Sequence, residues 1–259
     1  MSENNEQLLT PSVLKMLKQL EQEFSKFGID YFIVGAFARD LHFENHNDKT
    51  ILRKTSDIDI AICLSDESQF QLIVKALEET GDFKQNEKEP IKLEYKHGIE
   101  VDILPFGEIE NEHRETKLNN PKVFIINVHG FAEAAAFTVE IKSDEITLNT
   151  CSIEGLILLK LISWDDRKQR TQDLTDIDNI IDACENWLID EIFETQYDLF
   201  DKYDVEDLKF YLKMITAHVV GRKMKLVLAN SKELFERVIN ILSKKENPRW
   251  VAMKNGLKE

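Results

Sequence analysis

The sequence predicts an α+β protein, in which a small mixed sheet with flanking helices is followed by a C-terminal helical bundle. Short runs that alternate apolar and polar residues, such as Asp57–Leu64 and Ile99–Leu104, recur in the first half. From Ile153 onward Gly and Pro almost vanish and apolar residues recur at helical spacing, which indicates four to six helices. No repeat or low-complexity linker separates the halves, so the predicted domains, 1–150 and 151–259, meet at a soft boundary.

The first predicted helix begins at Thr10-Pro11, because Thr is a preferred N-cap and Pro fits the first helical position. An apolar stripe at helical spacing follows, and Gly28 ends it. The members of the stripe are Leu14, Leu17, Leu20 and Phe24. Next come an apolar strand, Tyr31–Val34, and a short helix, Phe37–His42.

A second amphipathic helix follows the strand Asp57–Leu64 and ends near Gly81. Ile91–Tyr95 and Ile99–Leu104 predict a hairpin that turns at residues 96–98. Polar composition predicts loops at residues 42–55 and 105–121. Three further short strands are predicted, at Val123–Val128, Phe137–Ile141 and Glu145–Leu148.

Composition and charge argue against a general nucleic-acid binder and against a membrane protein. With 48 acidic against 33 basic residues and a net charge of −15, the chain should repel bulk DNA or RNA. Its longest uncharged apolar run, Leu156–Leu159, is far too short for a membrane span, and its polar, acidic start does not resemble a signal peptide. Cys63, Cys151 and Cys184 have apolar neighbours and no metal-ligand spacing, which predicts buried, reduced thiols. We therefore expect a cytoplasmic protein without membrane attachment.

The most informative segment is Asp57-Ile-Asp59. Alternation along a strand places Ile58 and Ile60 on one face and the two acids together on the other. Adjacent carboxylates repel each other and are best tolerated when a cation neutralises them. Carboxylates and water suit Mg²⁺, which also uses substrate phosphates as ligands. The alternative is a solvent-facing strand edge with two ordinary charges.

Two other segments favour the functional interpretation. An apolar strand runs into Gly35-Ala36 at a helix start, where backbone N–H groups can approach a phosphate closely. Asp102 lies in the apolar strand Ile99–Leu104, and Glu100 shares its face. A buried acid is costly without a partner or a function. A phosphate turn, an acid pair and a third acid are the ligand set of two-metal nucleotidyl transfer.

In this order and context, Gly35, Asp57, Asp59 and Asp102 resemble the pattern of the polymerase-β-like nucleotidyltransferase superfamily. The run Arg53-x-Thr55-x-Asp57-Ile-Asp59 and the later Val101–Pro105 resemble its AbiEii or MenT branch, known for toxin–antitoxin and phage-defence nucleotidyltransferases.

The resemblance extends beyond the acids and covers roughly residues 28–182. Residues 152–167 resemble the helix that follows the catalytic core, with Lys160 as its lysine. The segment from Arg170 to Ile177 resembles the next helix, with Asp173 and Asp176. Each of these residues also has a structural explanation. Lys160 could extend its side chain so that the charge reaches the helix surface, and the two acids could orient the two helices.

The resemblance implies a small nucleotidyltransferase sheet and a helical domain that packs on it and completes the nucleotide site. It implies two Mg²⁺ ions, with Mn²⁺ as a substitute, held by the catalytic residues Asp57, Asp59 and Asp102. An NMP would move from an NTP to a hydroxyl of an RNA end or a protein side chain, and a toxin would have an antitoxin partner. The nucleotide-binding residues implied are Gly35, Ala36, Arg39, Arg53, Ser56, Lys160, Asp173 and Asp176.

Two alternatives stay open at this point. Residues 34–40 also resemble the Val-Gly-Gly-x-Val-Arg-Asp of CCA-adding enzymes, although the Arg-Arg-Asp-Phe-Thr segment found there is absent; an aminoglycoside-type enzyme belongs to the same alternative. The other is a degenerate core that serves as a binding or regulatory subunit. Ala36, which stands where the superfamily prefers Gly or Ser, and the long polar segment 42–55 favour it, whereas the three intact acids oppose it.

Overall fold

The computed structural model describes residues 8–50, 57–119, 123–203 and 208–259. It confirms the predicted α+β class, with a mixed sheet, flanking helices and a helical C-terminal part. Among the helices in these ranges, none is long and apolar enough to cross a membrane.

The chain divides into two compact units, which we call unit 1 and unit 2. Unit 1 consists of Met1–Ala132 and Thr138–Cys151, and unit 2 of Glu133–Phe137 and Ser152–Glu259. That the helical unit completes a nucleotide site stays a prediction.

A seven-stranded mixed sheet forms the centre of unit 1. Its strands are β1 (Tyr31–Val34), β2 (Asp57–Cys63), β3 (Phe83–Gln85), β4 (Lys92–Tyr95), β5 (Ile99–Phe106), β8 (Thr138–Lys142) and β9 (Thr147–Cys151). Their order in the sheet is β3-β4-β5-β2-β1-β9-β8. The β2–β5 and β1–β9 pairs are parallel and the others are antiparallel. A separate antiparallel pair is formed by β6 (Glu115–Leu118) and β7 (Phe124–Asn127).

The helices of unit 1 are α1 (Pro11–Lys26), α2 (Gly35–Asn45) and α3 (Glu67–Glu79), and a short α4 (Phe131–Ala135) spans the boundary between the units. Side-chain caps start two of them. The Thr10 hydroxyl accepts from Val13 N at 3.3 Å, and the Asp66 carboxylate accepts from Gln69 N at 2.9 Å. The predicted apolar stripe of α1 is buried, which orients this helix against the core of unit 1.

The described part of unit 2 contains six α-helices, within the predicted four to six: α5 (Ile153–Asp166), α6 (Thr171–Trp187), α7 (Ile189–Thr195), α8 (Leu208–Val227), α9 (Lys232–Leu242) and α10 (Pro248–Lys258). Two glycines let α8 and α10 pack closely. A Cβ on Gly221 would overlap the backbone oxygen of Met253, and one on Gly256 would overlap that of His218. The lack of side chains at both positions therefore permits contact between the two helix backbones.

The two predicted loops are partly wrong. Helix α2 continues to Asn45, so residues 42–45 are helical, while 51–56 lie outside the described residues. The predicted loop at 105–121 contains the end of β5 and all of β6. Strand β6 buries Thr116 and Leu118, and the Thr116 hydroxyl donates to the Pro105 carbonyl at 2.8 Å. The polar composition of this segment predicts a loop, and the segment becomes a strand only because it pairs with β7.

Three smaller predictions also change. The last strand in chain order, β9, begins at Thr147, not Glu145, because Ser143 N donates to Ile146 O at 2.9 Å and closes a turn there. The three-residue β3 and the five-residue α4 escaped detection, since such short elements carry little pattern. Cys151 and Cys184 are buried as predicted, but Cys63, the last residue of β2, is exposed.

Candidate active site

The two acids of β2 lie where the strand alternation places them. Ile58 and Ile60 are buried, with 4% and 0% exposure, while Asp57 and Asp59 are half-buried on the opposite face. The isoleucines anchor the strand in the apolar core, and this anchoring holds both carboxylates on the other face.

Strand β5 brings the third acid to the first two. In the parallel pairing of β2 with β5, Asp59 lies directly beside Asp102, and Asp57 beside Glu100. One carboxylate oxygen from each of Asp57, Asp59 and Asp102 lies within 4.8 Å of the other two. Three carboxylates so close together form an oxygen-rich site, and oxygen ligands are those that hard divalent cations prefer.

Gly35 makes room for this cluster. It follows β1 directly, begins α2 and has a φ of +69°, a backbone region that residues with a Cβ rarely adopt. A Cβ at this position would overlap Oδ2 of Asp59 and lie 2.8 Å from its Cγ. Glycine is therefore needed here both for the turn and for the position of the Asp59 carboxylate.

Asp102 is the most buried of the three acids, at 8% exposure, and it pairs with a lysine. Burial raises the pKa of its carboxyl group; Lys92 opposes this shift, while the charge of Asp57 adds to it. The Lys92 ammonium lies 3.3 Å from each oxygen of Asp102. Burial lowers the pKa of Lys92, but the charge and hydrogen bond of Asp102, together with the charges of Glu89 and Glu100, outweigh it, so that the pKa is raised.

Sequence reasoning missed Lys92, although the predicted hairpin contained the signal. The turn at Lys96–Gly98 pairs Tyr95 with Ile99. Counting back three residues on β4 and forward three on β5 places Lys92 opposite Asp102. A hairpin whose turn is known therefore identifies its cross-strand ion pairs.

Glu100, which the sequence places on the face of Asp102, is exposed there. A salt bridge across the hairpin would explain this residue without function, but the residue opposite it on β4 is Glu94. The ion pair of this hairpin joins Lys92 to Asp102 instead. Glu100 therefore adds a further negative charge beside Asp57.

The remaining predicted nucleotide-binding residues of unit 1 have different environments. Ala36 is buried in the first turn of α2. Arg39, also in α2, is fully buried, and its guanidinium binds the Asp40 carboxylate at 2.6 Å. A direct contact between Arg39 and a nucleotide would require this side chain to leave its buried position. Arg53 and Ser56 lie outside the described residues.

In unit 2, the predicted residues Lys160, Asp173 and Asp176 come together. Lys160 Nζ donates to Asp176 at 2.6 Å and lies 3.9 Å from Asp173, which also accepts from Arg170 Nε at 2.9 Å. Lys160 and both acids are buried, with exposures of 8%, 2% and 4%. This ion network joins α5 to α6, and whether it also binds nucleotide stays a prediction.

No family model matches the chain, and no match is found among curated proteins. An antigenic nucleotidyltransferase-like protein from Paracoccidioides brasiliensis is similar in structure, with 17% identity, 66% of this chain and 76% of that chain covered, and a TM-score of 0.41. The antibiotic-resistance factor ANT(2'')-Ia has 13% identity, coverages of 73% and 95%, and a TM-score of 0.37. A Thermotoga maritima CCA-adding enzyme complexed with tRNA has 17% identity and a TM-score of 0.35; 97% of this chain matches 53% of that enzyme. At these identities, none of the three assigns an activity to this chain.

Proposed function

We propose that the chain is a Mg²⁺-dependent nucleotidyltransferase that moves an NMP from an NTP to an acceptor hydroxyl. The observation that carries the proposal is the convergence of Asp57, Asp59 and Asp102, whose carboxylate oxygens lie within 4.8 Å of one another. Convergent acids at adjacent strands, beside a glycine that begins a helix, supply both metal ligands and a place for phosphate.

The donor set fits a hard cation. Three carboxylates provide charged oxygen ligands and no soft sulfur or imidazole ligand, which favours Mg²⁺ or Mn²⁺ over zinc. Gly35 keeps Asp59 in place by lacking a Cβ. When bound, Mg²⁺ neutralises charge on the triphosphate and lowers the pKa of the acceptor hydroxyl.

The acids have two roles in this proposal. Asp57 and Asp59 would bind metal on both the nucleotide side and the acceptor side, and Asp102 would complete the acceptor side. Asp102 or Glu100 accepts the proton of the acceptor hydroxyl. The acceptor oxygen then bonds to the α-phosphorus as the bond to the leaving pyrophosphate breaks, so that one NMP is transferred for each pyrophosphate released.

Backbone amides at Gly35 and Ala36 are suited to bind phosphate, since they lie in the first turn of the 11-residue helix α2. Lys160 supplies a compact positive charge for the triphosphate in the predicted scheme, with Asp173 and Asp176 orienting it.

An RNA end or a protein side chain is proposed as the acceptor, and a cytoplasmic toxin or phage-defence role with an antitoxin partner as the setting. The sequence resemblance around Arg53–Asp59 supports the setting. The net charge of −15 favours acceptors that are presented locally over extended binding of nucleic acid.

One observation favours a second candidate, a nucleotide-binding regulatory subunit without catalysis. In this structure the Lys92 ammonium is hydrogen-bonded to both carboxylate oxygens of Asp102. If that ion pair persists with substrate bound, the acceptor side of the site lacks a metal ligand.

Labelling separates the two candidates. The full chain is incubated with Mg²⁺, each α-³²P-labelled NTP in turn, and total RNA or lysate. We expect label in an RNA or protein band for the wild type and none for Asp59→Asn. Nucleotide binding without labelled product for any of the four NTPs would favour the regulatory subunit.

A further inference from the structure

Lys92 and Asp102 form the cross-strand ion pair of the acid cluster. The ammonium lies 3.3 Å from both carboxylate oxygens, so it faces the whole carboxylate and not one edge. The Asp102 side chain is 12% exposed and that of Lys92 28% exposed, which leaves the ammonium partly accessible to solvent. Lys92 thus contacts the least exposed of the three acids, and its partly exposed ammonium has room to move from that acid into solvent.

The fold holds Lys92 in this position. Leu93 and Tyr95 are buried, with 1% and 2% exposure, so the alternate residues of β4 must face the acids. Lys92 N donates to Glu89 O at 2.9 Å, and this turn fixes the start of the strand. A change of register by one residue would expose Leu93 and Tyr95, so Lys92 cannot move away with its backbone. Only its side chain can release Asp102.

Charge decides what this pair does to a metal ion. A divalent cation bound to an oxygen of Asp102 lies within a few ångströms of an ammonium that contacts both oxygens, and the two cations repel each other. We propose that Lys92, whose ammonium also lies 3.8 Å from the Glu89 carboxylate, competes with a divalent cation for Asp102 and thereby weakens metal binding by the cluster until a negatively charged substrate draws the ammonium away from Asp102. Lys92 is a positioning residue, and the inference rests on the proposed function, because it assumes that the acids bind metal.

Consequently, the cluster binds metal weakly in the absence of nucleotide, even though its three acids are already assembled. Substrate phosphate would relieve the repulsion by binding Lys92, so metal and nucleotide would strengthen each other's binding. Loss of the Lys92 charge would uncouple them and leave tight metal binding without nucleotide.

Mn²⁺ titration of the full chain without nucleotide tests this, with free Mn²⁺ counted by electron paramagnetic resonance. Lys92→Met and Lys92→Gln should each bind Mn²⁺ about tenfold more tightly than the wild type, or more. Lys92→Arg, which keeps the charge, should bind like the wild type. The matched control is Lys84→Met, because Lys84 is exposed on the neighbouring strand β3 opposite Glu94, and its loss should leave Mn²⁺ affinity unchanged.

The outcomes separate this inference from the proposed function. If both neutral variants of Lys92 bind Mn²⁺ no more tightly than the wild type while Asp102→Asn binds it more weakly, the competition is refuted and the metal site stands. If Asp57→Asn and Asp102→Asn bind Mn²⁺ as the wild type does, the acids are not the metal site and both proposals fail. Equal tightening in Lys84→Met would assign the effect to net charge and also refute the specific role of Lys92.

Discussion

The acid cluster of unit 1 and the Lys160 network of unit 2 are both groups of charged residues, but they differ in burial and in the arrangement of their acids. In the first, three carboxylates converge, two of them half-buried, and the most buried one, Asp102, binds the ammonium of Lys92. The second combines two carboxylates, Asp173 and Asp176, with the cations of Lys160 and Arg170. The first group therefore brings carboxylates against one another at a partly exposed place, whereas the second pairs each buried acid with a cation.

This difference separates a site that favours an added cation from one that is stable without it. Carboxylates that converge at half-buried positions repel one another in the metal-free protein, and a bound cation lowers the energy of that arrangement. A buried network of paired charges has already compensated its desolvation, so the removal of one member leaves a charge without its partner. The two groups should consequently respond to mutation in opposite ways.

The largest effect is expected in the acid cluster. Asp57→Ala or Asp59→Ala should abolish nucleotidyl transfer while the fold stays intact. The melting temperature in chelator should hold or rise, because one of two crowded like charges is removed. Transfer assays and thermal melts of the same preparations measure both quantities. Asp144→Ala, at an exposed acid in the turn before β9, is the control and should change neither. Unfolding of the metal-free variants would show that the acids are structural and that the site assignment is wrong.

The opposite response is expected at Lys160. Lys160→Met should reduce the free energy of unfolding by about 3–5 kcal/mol, since it leaves the buried Asp176 carboxylate without its ammonium. Urea denaturation measures the loss, and Lys160→Met combined with Asp176→Leu should recover part of it. Lys225→Met, at an exposed lysine of α8, is the control. A loss no larger than in the control would mean that the network contributes little to stability.

The predicted nucleotide role of Lys160 needs a separate measurement. At a temperature where Lys160→Ala is still folded, Mg²⁺-NTP binding should be weaker by roughly 1.5–3 kcal/mol, the cost of a lost charge-assisted contact. Wild-type affinity in that variant would leave Lys160 with a structural role alone.

Ligand linkage gives the next largest effect. Mg²⁺ together with an NTP should stabilise the wild type by about 2.7 kcal/mol at ~100 times the dissociation constant, and the NTP with chelator by much less. Thermal melts with each of the four NTPs measure this. A melting curve that none of them shifts in Mg²⁺ would contradict the nucleotidyltransferase proposal.

The smallest effect is expected at the glycines. Gly35→Ala and Gly81→Ala both place a Cβ at positive φ, +69° and +75°, and each should cost roughly 1–2 kcal/mol. Only at Gly35 would the Cβ displace a carboxylate, that of Asp59, because nothing lies within 4 Å of a Cβ at Gly81. Mn²⁺ affinity should therefore fall in Gly35→Ala alone. An equal fall in both variants would contradict the packing of Gly35 against Asp59.

Much of the local structure could be predicted because it depends on periodicity and on caps. The strand alternation of Asp57–Cys63 required only that one face be buried. Likewise, helix α1 could be predicted from its Thr10 cap, Pro11 and apolar stripe. Strand β6 could not, since its short polar run becomes a strand only when it pairs with β7.

Residue spacing was enough to predict the α+β class, the helical second half, the position of Asp57 and Asp59 on one strand face and the candidacy of Asp102. Those features depend on residue spacing, which the chain carries at every point. Other features are visible only in the folded chain: Asp59 lies beside Asp102, Gly35 packs against Asp59, and Arg39 is buried. The contact of Lys160 with Asp176 belongs to the same group. Strand order, register and burial join residues far apart in the chain, and local pattern contains no information about which distant segment becomes the neighbour.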